Sequence, residues 1–99
     1  MSAEQPNRDM EALRATIGLG LDAKVFASST LGKHMIARAN AQRETALDAL
    51  GDVDPEDPKA IRELQNTKRV AELFLHWLAS FEAEGEDAER AFVEGEAQA

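Results

Sequence analysis

The chain has no cysteine among its 99 residues. That excludes a disulfide framework, a thiol nucleophile and a thiolate metal site, and it suits a reducing compartment. Tyrosine is also absent, and one tryptophan and four phenylalanines are the only aromatics. No apolar run approaches the roughly 18 residues that a membrane span needs. The opening residues, MSAEQPNRDM, lack the basic and apolar blocks of a signal peptide, so the expected location is the cytoplasm. Basic residues are few, 11 against 19 acidic ones, for a net charge of −8. The acidity is concentrated at one end: Glu82, Glu84, Glu86, Asp87, Glu89, Glu94 and Glu96 are opposed there by Arg90 alone. Such a run is expected to be a solvated, solubilising tail over residues 86–99.

What is present is helix-forming sequence. Apolar residues make up 43% and charged residues 30%, a balance that fits a folded helical protein. A chain of this length forms one small domain and buries only about two-thirds of its unfolded surface, which favours self-association. The few prolines and glycines act as punctuation. Residues 1–9 are polar with Pro6 and are expected to be flexible. Met10, Leu13 and Ile17 then recur at helical spacing until Gly18 and Gly20, which read as a bend, followed by a brief turn carrying Val25 and Phe26. Ser28, Ser29 and Thr30 offer a cap for a helix from about Leu31 to Leu50, with Gly51 placed to end it. Leu31, Met35, Ile36, Ala39, Ala46, Leu47 and Leu50 share its apolar stripe. Asp54-Pro55 and Asp57-Pro58 each pair a capping acid with a proline preset for the first helical position. The next helix is predicted from Pro58 to Glu84, stopped by Gly85.

Two long helices joined by about seven residues predict an antiparallel hairpin. The expected fold is therefore all-α: a long antiparallel helical hairpin over residues 10–85, with a short N-terminal helical segment packed on its open end. Within it, Ile61 to Phe81 is the most informative stretch, because its apolar positions spread around more than half of the helix. Part of that surface, Phe74, Trp77, Leu78 and Phe81, is expected to be covered by Leu13, Ile17, Leu21, Val25 and Phe26. Leu73 falls outside the reach of one packed partner. Leu73, Phe74, Trp77, Leu78 and Phe81 are accordingly the expected interface residues, for a second copy of the chain or a partner helix.

Chemistry of other kinds finds little support. His34 and His76 sit on different helices with no partner at ligand spacing, so no metal site is expected. Ser28, Ser29 and Thr30 lack the surroundings of a nucleophile. Gly18-Leu19-Gly20 has no preceding strand or following Lys-Ser/Thr to make a phosphate loop. Lys33, Arg38, Arg43, Lys59, Arg62, Lys68 and Arg69 are interspersed with acids and form no phosphate-tracking stripe. No catalytic residue, cofactor, small-molecule ligand, nucleic acid or membrane partner is expected, and the chain reads as a non-enzyme.

Two blocks, GLDAKVFASSTLGKHMIARANAQRETALDAL and VDPEDPKAIRELQNTKRVAELFLHWL, carry a family likeness. Through Leu31-Gly32 with Met35-Ile36-x-Arg38-Ala39, and the Asp-Pro turn leading into Lys59-Ala60-Ile61-Arg62 and Leu64-Gln65-Asn66, the chain resembles small uncharacterised helical proteins encoded in phage and prophage genomes, often among head-structural genes. The resemblance implies a phage-type structural or interaction protein in a bacterial host cell, with association with the virion as a further implication. It carries no assigned activity. The second expectation is an acidic phage inhibitor whose carboxylates occupy a host protein's nucleic-acid-binding site.

Overall fold

The computed structural model describes residues 5–98. They form three α-helices, α1 (Gln5–Ser28), α2 (Thr30–Asp52) and α3 (Pro58–Gln98), with no strand among the described residues. The protein is all-α, built on helical-hairpin packing. Of the segment expected to be flexible, residues 1–4 lie outside the described residues, and α1 already begins at Gln5.

The capping reading is realised at two places. Ser29 sits between α1 and α2 in an extended conformation, and its hydroxyl accepts a hydrogen bond from the Gly32 amide at 2.9 Å. This satisfies one of the donors that a helix start leaves unpaired. At the other connection, the Asp54 carboxylate accepts from the Glu56 amide at 2.9 Å, and the Asp57 amide donates to the Asp54 carbonyl at 3.0 Å. Asp57 then caps α3 through the Ala60 amide at 3.1 Å, with Pro58 as the first helical residue.

The glycine stops are not stops. α1 runs unbroken through Gly18 and Gly20, α2 includes Gly51 and ends at Val53 in extended backbone, and α3 passes Gly85 for a further turn after turn. No described residue has a positive φ. A helical glycine costs about 1 kcal/mol relative to alanine, which flanking helix formers and tertiary contacts offset here. The acidic segment expected to be a solvated tail is thus the last part of a 41-residue helix, and the N-terminal segment is a helix of 24 residues rather than a short turn.

Contacts divide the chain into two compact units, residues 5–26 with 78–98, and residues 27–77. In the first, α1 and the end of α3 are antiparallel. Met10 lies against Gly95, Arg14 stacks its guanidinium 5.3 Å from the centre of the Phe92 ring, Gly20 meets Gly85, and Lys24 pairs with Glu86 at 3.1 Å. The buried side chains are Ala23 and Ala88. In the second unit, α2 and the start of α3 form the hairpin, with Ala39, Ala46 and Ala71 buried.

A heptad spacing, of small residues on α2 and of mixed sizes on α3, organises these contacts. Gly32, Ala39 and Ala46 are seven apart on α2, and all are buried. On α3, Leu64, Ala71, Leu78, Gly85 and Phe92 are seven apart, and none is exposed. Seven-residue spacing keeps one seam of a helix facing its neighbour. Glycine and alanine on that seam let backbones approach closely, and the larger residues beside it turn outward.

Candidate interaction surface

Among the described residues no large side chain is fully buried, and no polar or charged residue is buried. Eleven large apolar residues are exposed instead. On α3 these include Val70, Leu73, Trp77 and Phe81, recurring at three- and four-residue spacing, which places them along one side of the helix. Trp77 is 60% exposed, Leu73 40% and Phe81 42%.

Of the five residues expected at an interface, those three are open to solvent. The other two are half-buried: Leu78 belongs to the Ala71–Gly85 seam, and Phe74 lies between that seam and the exposed stripe. Within the first unit Phe81 is not covered as expected: α1 turns Gly20 and Ala23 inward, which leaves Leu21 and Val25 exposed, Val25 at 71%. Their sequence spacing from Ile17 was compatible with an inward position, but the small residues hold it.

The same reversal occurs on α2. Leu31, Met35 and Leu47, expected on the buried stripe, are exposed. Gly32, Ala39 and Ala46 hold the seam, with Ile36, Arg43 and Leu50 half-buried beside it. A shallow groove between α2 and α3 is lined by Arg38, Gln42, Thr45, Leu64 and Thr67. Met35 continues the Gln42 position by seven residues, Leu31 that of Arg38, and Phe74 that of Thr67. Leu31 and Met35 therefore flank the same side of the hairpin as Phe74, with Val70 and Trp77 next to it. Val70 is a surface residue that sequence reasoning did not single out, and Leu31 and Met35 are ones it placed on the buried stripe; the run of small residues at heptad spacing was the signal for them.

Beside the Lys24–Glu86 pair between α1 and α3, Lys68 pairs with Glu72 at 2.8 Å and Arg90 with Asp87, each within one turn of α3. No group of three or more His, Asp or Glu residues among the described residues could hold a metal ion. No helix is long and apolar enough to cross a membrane among the described residues. Comparison with protein-family models, curated proteins and solved structures finds nothing that matches this chain.

Proposed function

We propose that this chain is a non-enzymatic structural or interaction protein that works through helix–helix contacts and associates with itself. The observation that carries the reading is the reversal of large and small residues. Alanines and glycines fill the buried positions, while eleven large residues, among them leucine, valine, methionine, phenylalanine and tryptophan, face solvent. A single such residue outside is ordinary, but a row of them on one side marks a contact surface.

The phage setting, with a place near head-structural proteins, is supported by the two sequence blocks alone. The inhibitor reading has one observation in its favour: Glu84, Glu86, Asp87, Glu89, Glu94 and Glu96 are exposed on a helix.

Light scattering over a range of concentrations tests the favoured reading. The expected mass exceeds that of one chain, and Trp77→Asp lowers it while circular dichroism stays helical, because Trp77 adds little to the chain's own packing. A monomer mass at all concentrations, unchanged in Trp77→Asp, sinks the proposal. Raising ionic strength distinguishes the inhibitor, whose affinity for a basic host site falls steeply with salt, from an apolar interface, whose affinity does not.

A further inference from the structure

The two compact units share α3 but are closed in different ways. In residues 27–77, α2 and the start of α3 are joined through residues 53–57, with the Asp54 turn and the Asp57 cap built into the connection. The hairpin is therefore closed by its own chain. In the first unit the two parts, 5–26 and 78–98, are separated by the whole of that hairpin. The entropy lost in bringing two segments together grows with the chain between them, so α1 meets the end of α3 at small cost only after the hairpin has formed. The dependence runs one way.

Little apolar packing then holds α1 in place. The buried side chains there are Ala23 and Ala88, while Leu19, Leu21, Val25, Phe81 and Val93 are exposed. Arg14 rests over Phe92 from an exposed position, and in the Lys24–Glu86 pair both side chains are about half exposed, where an ion pair adds little. Few buried apolar contacts mark a segment that opens by itself.

The end of α3 depends on α1 in turn. Glu82 and Glu86 lie one turn apart, as do Glu86 and Glu89, and like charges at that spacing destabilise a helix. Gly85 between them is a poor helix residue. Arg90, the one cation that α3 supplies here, pairs with Asp87. Lys24 is the cation that α1 brings: it pairs with Glu86 and shares a small cleft with Glu82 and Glu89. Without α1, this stretch loses both its packed partner and that charge.

We infer that α1 and residues 78–98 form a strap that opens as one unit while the 27–77 hairpin stays closed, and that the hairpin does not open with the strap still closed. In the closed form α1 covers the seam of Leu78, Gly85 and Phe92, and opening uncovers that seam together with Ala88. This device is independent of the self-association proposed above.

Hydrogen exchange of the full chain, read amide by amide by NMR, tests the order of opening. Relative to the free peptide, amides of residues 10–26 and 82–96 are expected to exchange about tenfold faster or more than those of residues 36–50 and 62–75. Gly85→Ala, placed in the strap, is expected to speed both sets by the same factor, because the hairpin opens only from the strap-open form. Arg14→Ala, a milder change to the same pairing, is expected to show the same pattern. Ala46→Leu, within the hairpin, is expected to speed residues 36–50 and 62–75 and to leave the strap's rates unchanged. Equal acceleration of all amides by the strap variants and by Ala46→Leu, as in one cooperative fold, overturns the inference. So does acceleration of the strap amides alone by Gly85→Ala and Arg14→Ala, which would make the two units independent.

Discussion

Gly20 of α1 and Gly85 of α3 meet backbone to backbone: a methyl group built on Gly20 would lie 2.8 Å from the Gly85 Cα and 2.9 Å from the Phe81 carbonyl oxygen. The reciprocal methyl on Gly85 would lie 2.8 Å from the Gly20 Cα. Neither neighbour is a flexible side chain, so alanine at either position forces the two helices apart. Gly20→Ala and Gly85→Ala are expected to destabilise by about 1 to 3 kcal/mol, despite alanine's better helix propensity. Gly18 and Gly51 have nothing within 4 Å of the same methyl. Their alanine variants are expected to stabilise by about 0.5 to 1 kcal/mol. Thermal or urea denaturation followed by circular dichroism reads all four, and equal signs across the set would contradict the contact.

The helix starts make a second test. Replacing Asp57 by alanine removes the acceptor for the Ala60 amide, and Ser29→Ala removes that for the Gly32 amide. Each is expected to cost about 0.5 to 2 kcal/mol. Ser28→Ala, on an exposed residue at the end of α1, serves as the control and should be close to neutral by the same denaturation curves.

Removal of residues 86–99 tests the role of the acidic segment. It takes away Ala88 and Phe92, two of the contacts that α3 offers α1, along with the Lys24–Glu86 pair. The expected result is a loss of helical signal larger than the deleted residues themselves account for, because α1 loses its partner. A truncated chain that keeps the rest of its helicity and its melting temperature would return this segment to the status of a solvated tail.

Ala46 is the most buried of the alanines, at 2% exposure. Ala46→Leu is expected to destabilise by about 1 to 3 kcal/mol through overpacking. An equally large change at exposed Leu47, to alanine, should cost the isolated chain far less, and guanidinium titration at low protein concentration compares the two.

Much of the second unit was legible in the sequence. The Asp54-to-Pro58 connection, its two capping acids, the Ser29 cap and the antiparallel pairing that follows from a short loop were all readable, because each depends on local chemistry. The fate of the glycines was not. Gly20 and Gly85 look like helix breakers when each is considered in its own segment, and only their meeting shows why the helices tolerate them. The same limit inverted the reading of Leu31, Met35 and Leu47. Hydrophobicity places the largest apolar residues inside, but Gly32, Ala39 and Ala46 hold the seam here. Of the surface on α3, Leu73, Trp77 and Phe81 were identifiable from spacing, while Val70 became apparent once the seam was fixed by Ala71.

On α2 the seam of Gly32, Ala39 and Ala46 is a ruler with nearly identical marks. If α2 slid along α3 by two turns, Ala39 would take the place of Ala46, and only the exchange of Ala71 for a leucine, Leu64 or Leu78, on α3 would resist. The connection therefore helps to set the hairpin's register, through the Asp54 turn and the Asp57 cap. Between α1 and α3 no loop performs this service. There the alignment falls to the single point at which neither backbone carries a Cβ, so Gly20 and Gly85 act as the notch that tells the two helices where to stop.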